Sequence, residues 1–140
     1  MIALKYHIEG GNFTSAGYAS SQVKKTLKQL NIDAKLIKKV VVALYEGEVN
    51  IVAHATRGVV EVFITPSEVK MILTDEGKGI ENVDLAMSEG YSTASQEVRE
   101  MGFGAGMGLP NIKKNVDQLS IDSIVGVGTT LTMIKNIEHD

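Results

Sequence analysis

Glu46, Asn50 and His54 stand at four-residue intervals within the stretch YEGEVNIVAHA, residues 45–55. Side chains spaced in this way share one face of a helix. A carboxylate on that face can orient or deprotonate an attacking hydroxyl. The carboxamide oxygen of Asn50 suits Mg²⁺, which takes oxygen ligands and keeps several waters. His54 reads more simply as a hydrogen-bonded histidine of the core or its edge. No second histidine lies near it in the chain, so a zinc-type site is not expected. Glu48 projects roughly opposite to Glu46 and is the poorer candidate. The run VVVAL, residues 40–44, argues that the helix is covered on most sides. The polar stripe is therefore expected to floor a pocket.

Glycine supplies the second signal. Nine of the 14 glycines fall between Gly77 and Gly128. Glycine weakens helices and strands, so such density needs a reason, and close approach of backbone to a ligand is one. The stretch GFGAGMG, residues 102–108, leads into a helical pattern and offers free N–H groups to a phosphate. Taken alone it reads equally well as a flexible loop. The stretch DEGKGI, residues 75–80, follows a strand-like run. Asp75 can accept a hydrogen bond from the exocyclic amine of a base, with two glycines admitting the ring, but Asp and Gly are also common turn residues. There is no GxxxxGK[ST] and no GxGxxG between a strand and a helix, which excludes the two most familiar nucleotide loops.

The elements that must position these residues follow from periodicity. Ile2, Leu4, Tyr6 and Ile8 alternate, predicting a strand over 2–9. Ala16, Ala19, Val23, Leu27 and Leu30 recur at helical spacing over 15–30, with Lys24, Lys25 and Lys28 mostly off the stripe. Asp33 is placed to cap a helix running to about residue 55. Residues 59–65 and 69–74 read as a hairpin. A short helix is expected over 82–87, then a polar, glycine-rich segment over 89–108, long enough to be functional or mobile. Residues 107–119 read as helical, with Pro110 tolerable only near the start. SIDSIV and TTLTMIKNI flank GVG as a final hairpin.

The 140 residues fit one domain, expected over 1–140, able to bury a core without disulfides. A net charge of −3 argues against a nucleic-acid binder, and the lysine-rich VKKTLKQL reads as a solvated helix face. The absence of cysteine excludes thiolate metal sites and favours a reducing compartment. With no long apolar run and a strand-like N-terminus, a cytoplasmic protein is expected, without membrane or nucleic-acid partners.

The order of these signals is more specific than any one of them. Glu-x₃-Asn on a helix, Asp-x-Gly-x-Gly after a hairpin, a glycine-rich loop into a helix and Gly-x-Gly-Thr together resemble the GHKL ATPases, and by size their anti-sigma factor/serine-protein kinase branch. The resemblance implies an α+β two-layer sandwich with a mixed β-sheet and helices on one face. It also implies ATP and Mg²⁺ as cofactors. Asn50 would then bind Mg²⁺ and Glu46 would act as general base. Asp75 would hold the adenine amino group, with Gly77 and Gly79 shaping the base pocket. Gly104, Gly106 and Gly108 would wrap the phosphates, with Met107 and Leu109 beside them. Residues 89–106 would form the ATP lid, and Thr129 or Thr130 would reach the base side of the pocket.

Two features depart from that branch. The stretch GFGAGMGLPNI is richer in glycine and closer to the histidine-kinase form. An arginine early in the first helix is missing from AGYASSQ, leaving Lys24 or Lys25 as replacements. The resemblance implies a serine/threonine protein kinase acting on a regulatory protein partner, an antagonist or a sigma-like factor. The alternative is a nucleotide-gated binding switch, in which Ser92, Thr93 and Ser95 of the lid contact a partner. A stand-alone histidine kinase is not expected, because none of His7, His54 and His139 sits on a dimerisation helix. A homodimer through a sheet edge or the first helix is compatible with the pattern.

Overall fold

The computed structural model describes residues 1–80, 87 and 108–137. Most of the short helix expected over 82–87, the lid over 89–106 and its three hydroxyl residues, Gly104, Gly106, Met107 and His139 lie outside them. The elements run β1 (Ile2–Glu9), a 3₁₀ turn (Phe13–Ser15), α1 (Tyr18–Gln29), α2 (Ala34–His54), β2 (Ala55–Ile64), β3 (Glu68–Gly77), α3 (Gly108–Asn115), β4 (Gln118–Ile124) and β5 (Gly128–Asn136). Asp33 caps α2 as its position predicts, accepting a hydrogen bond from the Lys35 amide at 3.2 Å. No helix among the described residues is long and apolar enough to cross a membrane.

The strands form one sheet in the order β1-β2-β3-β5-β4. Every pairing is antiparallel, where the resemblance implied a mixed sheet. The physical reason lies in the connection after β3. β3 and β4 point the same way, as a crossover carrying a helix requires, but β5 returns between them and pairs with both. The architecture is otherwise the expected two-layer α+β sandwich.

The helices cover one face of this sheet. Val23 and Leu27 of α1, Val40, Leu44 and Ile51 of α2, and Ile112 of α3 meet Val60, Val62, Met71, Leu73, Leu131 and Met133 of the strands in one buried cluster. Each such side chain contributes about 1.5–3 kcal/mol on burial. The alternation in β1 holds throughout, with Ile2, Leu4, Tyr6 and Ile8 turned to the core.

α2 lies close against the sheet at Gly47. A Cβ there would come within 2.6 Å of a Leu73 methyl group. Successive helical residues turn by about 100°, so the two carboxylates on either side of Gly47 leave the helix on opposite flanks. Glu48 turns toward α1 and is 1% exposed. Its Oε2 accepts the amide N–H groups of Gly17 at 2.8 Å and Ala19 at 3.2 Å. Its Oε1 accepts the Ser20 amide at 3.0 Å and the Ser20 hydroxyl at 2.7 Å. A buried carboxylate thus caps a helix it does not belong to, where the helix dipole favours negative charge. Gly17, at φ 97°, makes the sharp entry to α1. The helix expected from residue 15 therefore begins at Tyr18, after a separate 3₁₀ turn.

Two stability predictions follow from this packing. Glu48→Ala leaves buried amide donors unpaired and should cost about 3 kcal/mol. Thermal denaturation should show a midpoint lowered by about 10 °C. Gly47→Val overpacks the contact with Leu73 and should cost about 2 kcal/mol in urea unfolding.

Candidate functional site

The flank of α2 opposite Glu48 faces the N-terminal turn of α3. Glu46 is half-buried there, and its Oε1 accepts a long hydrogen bond, 3.4 Å, from the Asn111 carboxamide. One turn further along α2, Asn50 lies against Gly108, the first residue of α3. A Cβ at Gly108 would sit 3.1 Å from Asn50 Oδ1 and 3.2 Å from Nδ2. A side chain at 108 would be tight against this carboxamide, which would have to give by a few tenths of an ångström. Glu46 and Asn50, chosen from their spacing, are thus brought together with Gly108. The start of α3 also presents the positive end of a helix dipole at the same place.

The stripe ends at His54, the last residue of α2. Burial holds its imidazole below the usual histidine range, and the nearby charge of Lys78 adds to this. A histidine kept neutral in this way is poorly suited to donate a proton, and among the described residues no group of three His, Asp or Glu side chains is placed to hold a metal ion.

A second cluster forms where β3 leaves the sheet. Asp75 lies within β3 and not beyond it, because β2 extends to Ala55 and pairs past it across an irregularity near Arg57. Its Oδ1 accepts the backbone N–H of Thr129 at 3.1 Å. The loop after it is zipped to the β4–β5 turn. Gly77 donates its N–H to the Val127 carbonyl at 3.1 Å, and Gly126 donates to the Lys78 carbonyl at 2.9 Å. Gly79 turns at φ 77°, where a Cβ would also stand 2.6 Å from the Ile124 carbonyl. At Gly128 a Cβ would collide with the Asp75 carbonyl. Gly77, Gly79, Gly126 and Gly128 are therefore conditions for Asp75 and Thr129 to meet.

Of the two threonines, one belongs here. Thr129 is 8% exposed and shares with Asp75 the face of the sheet that carries the helices. Thr130 alternates to the opposite face, where its cross-strand partners are Thr74 and Asp122, so the expectation for it is corrected. Leu109 is 8% exposed and packs into the core, anchoring α3. Lys24 and Lys25 are exposed on α1 and line an outward groove with Ser21, Lys28 and Gln29. α1 adjoins the Glu48 flank of α2, which leaves both lysines remote from Glu46 and Asn50.

Sequence reasoning missed Asn111 and Ser123. Asn111 orients Glu46 from α3; its only signal was its place one turn after the glycine-rich stretch. Ser123 accepts the Ile80 amide at 2.8 Å and shares a hydrogen bond with the Thr129 hydroxyl at 2.8 Å. Nothing in the local sequence marks it, since its partners are separated from it in the chain.

Both site carboxyls bind protons more tightly than usual. Burial raises Glu46, with the Asn111 hydrogen bond opposing; burial raises Asp75, with the Thr129 amide opposing. A folded-state value above the unfolded one favours the fold at acid pH, and that contribution is lost as pH rises through the raised values. These two groups therefore work against stability at neutral pH, as expected of residues kept for chemistry or binding.

Similarity to known proteins was found over nearly the whole chain. An anti-sigma F factor of Caldanaerobacter subterraneus subsp. tengcongensis is 30% identical over 142 residues, covering 98% of this chain and 94% of that protein. The serine/threonine-protein kinase RsbT of Bacillus subtilis is 29% identical over 102 residues, covering 73% of this chain and 65% of that protein. In fold, the chain is similar to the crystal structure of the RsbU and RsbW domains of Rv1364c from Mycobacterium tuberculosis. The TM-score is 0.68 at 18% identity, covering all of this chain and 34% of that one. Residues 14–135 match the model of the histidine kinase-like ATPase domain, and the chain belongs to that family.

Proposed function

We propose that this chain binds Mg-ATP between α2 and the start of α3 and transfers the γ-phosphoryl group to a serine or threonine of a regulatory protein. One observation carries this reading: Glu46 and Asn50 converge on the first turn of α3. The names of the relatives, anti-sigma F factor and serine/threonine-protein kinase, support the choice of a protein acceptor.

The donor set fits the groups it would hold. The Asn50 carboxamide offers a hard oxygen, and Gly108 leaves beside it a space that any Cβ would fill. Mg²⁺, when bound, neutralises charge on the triphosphate and fixes its orientation. The N–H groups of Gly108 and Leu109, in the first turn of α3, would meet phosphate oxygens. Asp75, with two oxygens and one of them engaged by the Thr129 amide, can accept a hydrogen bond from the adenine amino group.

Glu46 does the proton work. The acceptor hydroxyl oxygen bonds to the γ-phosphorus as the bond to the β–γ bridging oxygen breaks; ADP leaves, and the hydroxyl proton passes to Glu46. Its raised proton affinity makes it a better base than an ordinary exposed glutamate, and Asn111 holds it in place. Positioning and electrostatics supply most of the acceleration in such a transfer.

Glu46→Gln should keep nucleotide affinity within about threefold and slow transfer by about 100-fold or more. The wild-type rate should fall as pH drops through the raised Glu46 value, and that limb should vanish in the variant. Transfer surviving at full rate in Glu46→Gln, followed with labelled ATP and a host extract, would remove Glu46 from this role. Asn50→Ala should weaken Mg-dependent ATP binding about tenfold or more while leaving the thermal midpoint nearly unchanged. Calorimetry that finds no heat with any adenine nucleotide on the folded protein would sink the whole reading. Binding with no transfer to any protein would favour the nucleotide-gated switch.

A further inference from the structure

The charge of this chain is unevenly placed. Between Lys24 and Lys39 six lysines stand against one acid, Asp33, a local charge of +5 in a chain of net −3. The remainder therefore carries −8. The turn between α1 and α2 is short, so the C-terminal end of α1 and the N-terminal end of α2 share one end of the molecule. Lys24, Lys25, Lys28, Lys35, Lys38 and Lys39 are all exposed there. Ser21, Lys24, Lys25, Lys28 and Gln29 line a shallow groove of about 450 Å³ on the outer face of α1.

Solvation alone accounts poorly for this arrangement. Lys35 lies in the first turn of α2, where the helix dipole disfavours positive charge, and that turn holds no acid. Among the described residues, none of the six lysines has a carboxylate oxygen within 4.0 Å. Lys39 acts on Asp117 only through space. Asp33, at the N-cap of α2, is the one acid in the segment, so the lysines outnumber it six to one.

We infer that this end of the α1–α2 hairpin is a docking surface for an acidic segment of a partner protein. The inference rests on the reading above that a protein partner exists, and it names the chemistry of that partner. A membrane surface fits less well, because Ala19, Val23 and Leu27 of the α1 stripe are completely buried and Leu30, 40% exposed, is a single apolar side chain rather than a face to insert. Nucleic acid fits less well, because the patch carries no aromatic side chain and the remaining −8 repels a long polyanion. A short acidic segment needs only local complementarity.

The test measures binding of the full chain to a labelled glutamate-rich peptide, a neutral peptide of equal length, a short DNA duplex, and vesicles of phosphatidylglycerol with phosphatidylcholine. The acidic peptide should bind best and weaken about tenfold between about 50 and about 200 mM salt. Lys24→Glu/Lys25→Glu/Lys28→Glu should lose that binding by at least about tenfold, and the corresponding glutamine variant should show a smaller loss. ATP affinity should stay unchanged in both, since these side chains lie outside the proposed nucleotide site. The inference is overturned if the acidic peptide binds no better than the neutral one, if charge reversal leaves its affinity intact, or if DNA or vesicles bind more tightly. Loss of docking chemistry with ATP binding intact would leave the kinase reading standing; failure of ATP binding would remove that reading and leave the docking result readable.

Discussion

The contact between Gly47 and Leu73 sets the rotation of α2, and the rest of the molecule is arranged around that rotation. With no side chain at position 47, the helix lies close on β3 and β5. The residues on either side are then committed to opposite flanks. Glu46 and, one turn on, Asn50 face α3. Glu48 faces α1. A helix turned by one residue would bury Glu46 against the sheet and dissolve both arrangements.

The two glutamates show how one residue type serves different ends. Glu48 is nearly inaccessible and gathers four hydrogen bonds from the first turn of α1 and its approach, so its negative charge is met by aligned N–H groups. Among the described residues Glu46 has one long bond, from Asn111, with partial access to solvent, and burial raises its proton affinity. A carboxylate whose hydrogen bonds are complete anchors structure. One that is desolvated but incompletely bonded retains capacity for a proton or a substrate. Sequence ranked Glu46 above Glu48 on phase alone and missed the structural work of Glu48.

The meeting of Asp75 with Thr129 depends on backbone proximity. The DEGKGI loop and the GVGT turn lie about fifty residues apart in the chain, yet amides and carbonyls bridge them directly at Gly77–Val127 and Lys78–Gly126. Side chains at 79 or 128 would hold the two segments apart. The concentration of glycine in the second half of the sequence thus has a structural cause at these positions, independent of any ligand. Asp75 and Thr129 become neighbours only because β5 inserts between β3 and β4.

Sequence alone determined the elements whose pattern is local: the alternation of β1, the Asp33 cap, the amphipathic stripe of α1 and the polar stripe of α2. It also marked Glu46, Asn50, Asp75 and the glycines around them, because helical phase and backbone freedom are properties of short segments. Tertiary structure decided what depends on distant partners. Strand pairing carried β3 through Asp75 to Gly77 against local turn preference. Pairing with β5 likewise ended α3 at Asn115 and began β4 at Gln118, where a longer helix was expected, with Asp117 held by the Asn136 amide at 2.7 Å. Insertion of β5 made the sheet wholly antiparallel and put Thr130 on the far face from Asp75. The roles of Asn111, Ser123 and Glu48 rest on partners 28 to 65 residues away in three of their contacts, and no periodicity of a single segment encodes a meeting of that kind.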